Sequence, residues 1–246
     1  MDEKLFELLS DETLTEINDN LKLIQKKGGL TFGSDALLLA SFIKKPRGAV
    51  AVDLGSGTGV IALLAASRGP FEKIYAVEIQ QKFADIIGRN ARLNSLDSIV
   101  EPVCADLRDV KIECDIVFAN PPYMKTGSGK SSDDDGRDIA RRERNGGIYD
   151  FCECASRCLS DGGDFYVVYR PDRMVDLLCA LRENKLEPKK LIFVCADENH
   201  APSLLLVSVK KGAAPSLIVP KPLFLNLGGE MSDDAKKIYE SGKLDL

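Results

Sequence analysis

The tetrapeptide Asn120-Pro121-Pro122-Tyr123 combines residue types that suit chemistry on a planar amine. The lone pair of an exocyclic amine on a flat ring is delocalised, so its nitrogen is a poor nucleophile. The Asn120 side-chain oxygen and the Pro121 carbonyl are two acceptors that can draw this nitrogen toward tetrahedral geometry. Tyr123 offers a face on which the ring can stack. Fixed dipoles of this kind are preorganised for catalysis. The alternative interpretation is a strand exit stiffened by two prolines.

A second segment, Asp53-Leu54-Gly55-Ser56-Gly57-Thr58-Gly59, places three glycines at the end of an apolar run. Glycines let the backbone turn sharply and approach a ligand closely. Glu78 and Asp106 end or follow the next two predicted strands, and open α/β sheets bind ligands at the carboxyl ends of strands. Three acidic residues in this order suit an adenosine ligand without phosphates, because phosphates would favour positive charge. Each residue alone also suits a turn.

The elements that must position these residues alternate between strand and helix from residue 49 onward. Strands are predicted at 49–54, 73–77, 99–104, up to 119, 165–169, 191–195 and 204–209, with helices after most of them. Only a short turn separates the last two strands, so we expect them to pair antiparallel. Repeated βα units that end in such a hairpin predict a doubly wound α/β fold with a mostly parallel sheet and one antiparallel strand.

Two extensions flank this α/β domain. The predicted boundaries are 1–48, 49–211 and 212–246. Leucines between Leu5 and Leu9 predict a short helix, and a hairpin is predicted around the turn at 26–29. Ser34 is predicted to cap a helix over Asp35–Ile43. Ser232, followed by two aspartates, predicts the start of a last helix near Tyr239.

Composition and charge limit the class of protein. The chain has 246 residues, of which 44% are hydrophobic and 29% charged, and this excludes a mostly disordered or collagen-like protein. Its formal net charge of −5 argues against general coating of a polyanion. The single histidine, His200, excludes most zinc sites and is expected in a surface turn. The 7 cysteines include no CxxC pair, so we expect reduced core thiols and no metal. The acidic N-terminus predicts a cytoplasmic protein without a signal peptide or membrane span.

The glycine-rich segment with Glu78 and Asp106 resembles the S-adenosylmethionine fingerprint of class I methyltransferases, over about residues 49–210. The resemblance implies a Rossmann-like sheet of seven strands, S-adenosylmethionine as cofactor and S-adenosylhomocysteine as product. It implies that Asp53 and the glycines lie at the methionine end of the cofactor and that Glu78 binds the ribose. Ile79 is then expected to pack on the adenine, and Asp106 with Leu107 to read its edge. The complete set of expected cofactor-binding residues is Phe32, Asp35, Asp53, Gly55, Ser56, Gly57, Thr58, Gly59, Glu78, Ile79, Asp106 and Leu107.

The tetrapeptide at Asn120 resembles the NPPY motif of methyltransferases that act on planar nitrogen, namely adenine N6, guanine N2 or the glutamine amide. The segments IQKKGGLTFGSDALLLASF, LLLVSVKKG and GGEMSDDAKKIYE, and the run Ala140–Glu143, resemble the bacterial tRNA(Val) adenine-N6 methyltransferases. That family modifies the adenosine beside the anticodon. The resemblance implies methyl transfer to N6 of an anticodon-loop adenosine in tRNA, with Asn120, Pro121, Pro122 and Tyr123 as catalytic residues.

Several alternatives stay open. The enzyme could instead methylate a protein glutamine amide or another nucleic-acid base. A NAD(P)-dependent reductase is disfavoured by Val60, which stands where GxGxxG requires its third glycine. A non-catalytic adenosine-binding module is disfavoured by the intact NPPY motif. We expect a monomer or a weak homodimer.

The polar segment 124–147 is the candidate substrate arm. Lys125, Arg141, Arg142 and Arg144 are expected to contact RNA phosphates, with a solvated mobile loop as the alternative interpretation. Gly127–Ser131 imitates the end of a phosphate-binding loop. The earlier glycine of that motif would be at position 124, which is Met124, so we reject this interpretation.

Overall fold

The computed structural model describes residues 8–18, 21–28, 33–44, 46–122, 147–242 and 244. The strands are β1 Glu12–Asn18, β2 Leu21–Lys26, β3 Val50–Leu54, β4 Lys73–Glu78, β5 Val100–Cys104, β6 Cys114–Ala119, β7 Leu159–Tyr169, β8 Leu186–Cys195, β9 Leu204–Lys211, β10 Leu223–Phe224, β11 Asn226–Leu227 and β12 Glu230–Met231. The helices are α1 Ser34–Phe42, α2 Val60–Arg68, α3 Gln81–Leu93, α4 Ile148–Cys158, α5 Met174–Glu183 and α6 Asp233–Ser241, with a 3-10 turn at Pro171–Arg173.

A central sheet of eight strands has the order β10-β8-β9-β7-β6-β3-β4-β5. Neighbouring strands are parallel except where β9 pairs with β7 and β8. This confirms the predicted mostly parallel sheet with one antiparallel strand. The seven predicted strands are β3 to β9, and β10 adds a two-residue strand from the C-terminal extension.

The sheet is covered on both faces, which explains its continuous apolar strands. Ala51 of β3 packs into a core shared with Leu38 of α1 and Leu63 of α2. Its neighbour Val52 points to the opposite face and joins a core that includes Phe151 of α4. All of these side chains are essentially excluded from solvent. The strand ends that follow are therefore held in a rigid frame.

The order of the strands reverses beside β3, and this positions the site. From β3 the chain continues to β4 and β5 on one side, whereas β6 and β7 lie on the other. In the ladder between β3 and β6, Leu54 pairs with Ala119. The glycine-rich segment after β3 and Asn120 after β6 therefore leave the sheet side by side, in the crevice where such sheets bind ligands.

An N-terminal hairpin is present, but it differs from the predicted one, which paired the strand at Leu21 with residues after the turn at 26–29. β1 pairs antiparallel with β2, with Glu12 opposite Lys26, so residues 19–20 connect the strands. The turn expected at 26–29 instead follows the second strand. β1 escaped prediction because its sequence ETLTEIN is mostly polar, and its Leu14 is exposed.

Asn90 of α3 and Asn94, the residue that follows the helix, dock this hairpin. Asn94 accepts from the Lys22 backbone N–H at 2.8 Å and donates to its carbonyl at 2.7 Å. One turn earlier, Asn90 makes the same pair of bonds with Ile24, at 2.7 and 3.2 Å. Arg89 adds an ion pair with the buried Glu12 at 2.7 Å. The amides act as a substitute strand and satisfy backbone groups of β2 that a sheet edge would leave open.

The two helix starts predicted from serine differ in outcome. Ser232 caps α6 as expected, because its hydroxyl accepts from the Ala235 N–H at 3.0 Å. Ser34 does not cap α1: the helix begins at Ser34 itself, and Gly33 holds the cap position without a side-chain bond. Asp35 lies in the first turn as predicted, but its carboxylate is turned toward a different partner, described below.

Helices and thiols carry two further findings. In the part of the chain that the structure describes, no helix is both long and apolar enough to cross a membrane. Five cysteines are buried, as expected of core thiols, whereas Cys104 and Cys179 are exposed.

Candidate active site

The segment after β3, residues 55–59, turns on three glycines with left-handed backbone angles. Their φ values are 70° at Gly55, 59° at Gly57 and 85° at Gly59, a region that side chains with a Cβ disfavour. A Cβ on Gly55 would meet Phe151 at 3.1 Å, and one on Gly59 would meet Ile87 at 3.2 Å. Gly57 has nothing within 4 Å of that position. The loop is thus packed at both ends, with open space over its middle where a ligand can approach the backbone.

Asp53 is a buried carboxylate with one unused oxygen. Only 1% of the residue is exposed, and Ser56 donates to its Oδ2 at 2.6 Å. Within the described residues, Oδ1 has no hydrogen-bond partner. Burial raises the pKa of Asp53 to about 7. A buried oxygen without a partner is costly, so a cationic donor such as the amino group of S-adenosylmethionine suits this position.

Glu78, the last residue of β4, is fixed by two backbone donors. Its Oε2 accepts from the Gly57 N–H at 3.0 Å, and its Oε1 accepts from the Gln80 N–H at 2.9 Å. Each oxygen keeps a second acceptor site, so the carboxylate can still bind two hydroxyls, as a ribose requires. Burial raises the pKa of Glu78. The same side chain therefore orders the glycine-rich loop and presents acceptors beside it.

Asp106, beyond β5, is paired with Arg108. The guanidinium donates to both carboxylate oxygens, through Nε at 2.9 Å and through Nη2. The Arg108 side chain and backbone hold the pKa of Asp106 below its usual range. An adenine amino group that donates to Asp106 would therefore bind a carboxylate that also accepts from Arg108. Ile79 is 37% exposed at the neighbouring strand end, as a surface that packs on a flat ring should be, whereas Leu107 is buried.

Asn120 is the first residue after β6 and contacts α1. Its Nδ2 donates to Oδ2 of Asp35 at 2.9 Å. Pro121 is buried and Pro122 is exposed. The amide is therefore anchored to α1, at a strand end next to the one that carries Gly55–Gly59.

The sequence profile of the methyltransferase small domain family matches residues 26–183, more than half of the chain. The chain belongs to this family. Its membership confirms the predicted methyltransferase, and S-adenosylmethionine as the methyl donor for which Asp53 and Glu78 are suited.

Relatives of this methyltransferase carry a common name. The chain is 29% identical over 187 residues to the tRNA1(Val) (adenine(37)-N6)-methyltransferase of Bacteroides fragilis YCH46, covering 74% of this chain and 78% of the relative. The chain is also 29% identical over 188 residues to the protein of that name from Shewanella amazonensis, covering 75% of this chain and 79% of the relative. The one from Porphyromonas gingivalis ATCC 33277 is 27% identical over 185 residues, covering 71% and 72%.

Solved structures agree on the fold. A predicted O-methyltransferase, Atu636 of Agrobacterium tumefaciens, superimposes with a TM-score of 0.71 at 21% identity, covering 86% of this chain and 98% of that one. Trm5 of Methanocaldococcus jannaschii, solved in complex with adenosine, gives a TM-score of 0.59 at 17% identity, covering 83% and 56%. Together with the strand order, these likenesses confirm the Rossmann-like class I fold.

The structure brings most of the expected site residues to one edge of the methyltransferase sheet. They are Asp35, Asp53, Gly55, Ser56, Gly57, Thr58, Gly59, Glu78, Ile79, Asp106, Leu107, Asn120, Pro121 and Pro122. Six expected residues lie outside the described part of the chain and stay predictions: Phe32, Tyr123, Lys125, Arg141, Arg142 and Arg144. His200 lies on the loop between β8 and β9, where its Nδ1 is 2.7 Å from the Asp197 carboxylate.

Three contacts were missed from the sequence. Asn90 donates to the Thr58 carbonyl at 2.9 Å and so ties the cofactor loop to the hairpin. In the second contact Arg108 donates to the Asp106 carboxylate, and in the third Asp35 accepts a hydrogen bond from the Asn120 amide. The first had a signal: asparagine is a poor helix former, yet Asn90 lies within α3, four residues before Asn94 at the end of the helix. The second also had one, because Arg108 lies only two residues from Asp106, whereas the contact of Asp35 with Asn120 depends on long-range packing that residue spacing does not encode.

Proposed function

We propose that this enzyme transfers the methyl group of S-adenosylmethionine to the exocyclic N6 of an adenosine in the anticodon loop of tRNA. The observation that carries the proposal is the placement of Asn120 beside the glycine-rich loop, with its amide anchored by Asp35 at 2.9 Å. The relatives named tRNA1(Val) (adenine(37)-N6)-methyltransferase, each covering at least 71% of this chain, support the choice of substrate.

The cofactor supplies a methyl group on a sulfonium, which is a good leaving group without metal assistance. Asp53 and Glu78 hold the amino and ribose ends of the molecule at the sheet edge. The Asn120 Oδ1 and the Pro121 carbonyl then accept the two hydrogens of the target amine. Accepting both hydrogens favours a tetrahedral nitrogen whose lone pair can attack the methyl carbon. Such fixed acceptors cost no reorganisation during the reaction.

The amine must leave its base stack before it can reach Asn120. Extruding a base costs a few kcal/mol, and least where the base is already unpaired. An adenosine in a hairpin loop meets this condition. We expect Tyr123 to stack on the extruded ring, a contact that contributes about 1–3 kcal/mol when tested by alanine substitution.

The segment 123–146 lies between Pro122 and α4 in the chain. It follows Pro122 directly, and it ends before α4, whose Phe151 lies beside Gly55 of the cofactor loop. Both attachment points therefore belong to the active-site edge. We infer that Lys125, Arg141, Arg142 and Arg144 contact tRNA phosphates.

The deciding experiment is mass spectrometry of nucleosides from unmodified tRNA(Val) incubated with the protein and S-adenosylmethionine. The expected product is N6-methyladenosine, and with Asn120→Ala it should form about 100- to 1,000-fold more slowly although that variant still binds the cofactor. Methyl groups in another nucleoside would contradict the N6 assignment. Parallel incubation with a release factor tests the alternative: label in a glutamine, with none in tRNA, would replace the proposal.

A further inference from the structure

The contact between Asp35 and Asn120 joins two segments that are 85 residues apart in the chain. Asp35 is the second residue of α1, and both side chains are half-buried. Its Oδ1 accepts from the Ala36 N–H at 3.0 Å, and its Oδ2 accepts from Asn120 Nδ2 at 2.9 Å. Both carboxylate oxygens are thus held in place.

Two features keep the Asp35 carboxylate in a fixed position relative to the sheet. α1 is anchored in the core through Leu38 and Leu39, which are 1% and 0% exposed. The carboxylate also sits in the first turn of the helix, where the helix dipole favours a negative charge. A hydrogen bond from this position therefore fixes Asn120 to a rigid element rather than to a loop.

An asparagine amide is nearly symmetric in shape, and rotation by half a turn exchanges its oxygen and nitrogen. A carboxylate only accepts hydrogen bonds, so the amide must present Nδ2 to Asp35. Its Oδ1 then faces away from Asp35. In the flipped state Nδ2 would face the target amine, and two donors would oppose each other.

We propose that Asp35 is a positioning residue that selects the orientation of the Asn120 amide and so directs Oδ1 at the target amine. The proposal rests on the function proposed above. It gives Asp35 a role on the acceptor side of the reaction, in place of the cofactor contact expected from the sequence.

The first test is kinetic. Asp35→Asn keeps the size of the side chain but can offer Asn120 either a donor or an acceptor, so both amide orientations become available. We expect kcat to fall about 10- to 100-fold, as for loss of a charged hydrogen bond. The KM for tRNA and the Kd for cofactor should change by less than about threefold, because the interaction acts on the reacting amine.

The matched control is Asp234→Asn. Asp234 is also the second residue of its helix, α6, and is also half-buried, but it lies in the C-terminal extension, which contains none of the expected site residues. It reproduces the loss of a first-turn carboxylate and should keep wild-type kcat. If Asp234→Asn lowers kcat as much as Asp35→Asn does, helix stability rather than amide orientation explains the effect.

A double-mutant cycle separates orientation from a general structural role. Combined with Asn120→Ala, the Asp35→Asn substitution should cause no further loss of single-turnover rate, because the amide that it orients is gone. Full additivity of the two losses would overturn the proposal. So would a cofactor Kd weakened tenfold or more in Asp35→Asn, since this would mark Asp35 as a cofactor ligand.

A spectroscopic measurement needs no substrate. In ¹⁵N-labelled protein the side-chain NH₂ signal of Asn120 is identified by its loss in Asn120→Ala. It should shift in Asp35→Asn and stay in place in Asp234→Asn. An unmoved signal in Asp35→Asn would overturn the proposal. If instead the wild-type protein methylates no tRNA while the signal moves as expected, the proposed function fails and the contact between the two side chains stands.

Discussion

At the scale of single residues, Asp53 is a buried carboxylate with one oxygen that a ligand can bind. Its pKa is raised to about 7 from an ordinary value of 3.8 by burial. Between these values the ligand-free folded state binds more protons than the unfolded chain, so stability falls as pH rises through this window. We expect wild-type protein to lose on the order of 3 kcal/mol of unfolding free energy relative to Asp53→Asn between pH 4 and pH 8. Urea unfolding at a series of pH values measures the difference.

A parallel pH dependence in the two proteins would show that Asp53 is ionised throughout. The comparison cancels the other titrating groups, since both proteins carry them. Saturating cofactor should reduce the gap, because a cationic group at Oδ1 favours the ionised carboxylate.

Glu78 gives a second prediction at this scale. Both of its oxygens accept from backbone N–H groups, so in Glu78→Gln the amide nitrogen must face one of these donors. The conflict disturbs the loop at Gly57 and removes a charged acceptor for the ribose. Cofactor affinity should fall by about 1.5–3 kcal/mol in a calorimetric titration. Glu101→Gln, on the exposed ion pair with Lys73, is the control and should bind normally. Wild-type affinity in Glu78→Gln would remove the ribose assignment.

At the scale of elements, Asn90 of α3 connects the N-terminal hairpin to the cofactor loop, and Asn94 after the helix binds the hairpin alone. Asn90 is fully buried and serves Ile24 and Thr58, whereas Asn94 is partly exposed and serves Lys22. Asn90→Ala would leave several buried backbone groups without hydrogen-bond partners and should cost about 2–4 kcal/mol of unfolding free energy. Asn94→Ala should cost less than about 1 kcal/mol, because water replaces its bonds. Urea unfolding separates the two.

The pair also tests whether the hairpin supports cofactor binding. Asn90→Ala should weaken cofactor binding because Thr58 loses its donor, whereas Asn94→Ala should leave it unchanged. Equal cofactor affinity in the two variants would confine Asn90 to a purely structural role.

The same elements show what the sequence can and cannot predict. β3 and β9, for example, were predictable because the apolar runs in VAVDL and LLLVSVKK are typical of strands in a sheet that is covered on both faces. Asp53, Glu78 and Asn120 were predictable because each lies at a strand end. β1 was missed because the polar side chains of ETLTEIN gave no apolar pattern. The pairing of Arg108 with Asp106 could have been found, since the two residues are two positions apart, whereas the contact of Asp35 with Asn120 could not, since it depends on how α1 folds back onto the sheet.

At the scale of the whole molecule, the formal net charge is −5, so an RNA substrate has to be bound by a local cluster of positive charge. The arginines of segment 123–146 follow the catalytic motif in the chain and precede α4. Reversing Arg141, Arg142 and Arg144 to glutamate should weaken tRNA binding and flatten its salt dependence by about 0.7–0.9 per lost phosphate contact. Cofactor affinity should hardly change. Fluorescence titrations over a range of salt concentrations measure both quantities, and an unchanged slope would take these residues out of the interface.

The whole site also determines which adenosines can react. Asn120 is itself half-buried at a sheet edge, so the amine has to be brought to it out of the base stack. A loop adenosine is already unpaired, whereas an adenosine in a perfect duplex must also lose its pairing, at a cost of a few kcal/mol. Folded tRNA should therefore be methylated, and a duplex of the same sequence should be nearly inert. Tyr123→Ala should lower the rate strongly and Tyr123→Phe only mildly, because phenylalanine keeps the ring face. Nucleoside mass spectrometry on both substrates measures the ratio, and equal methylation of duplex and loop would contradict base extrusion into this site.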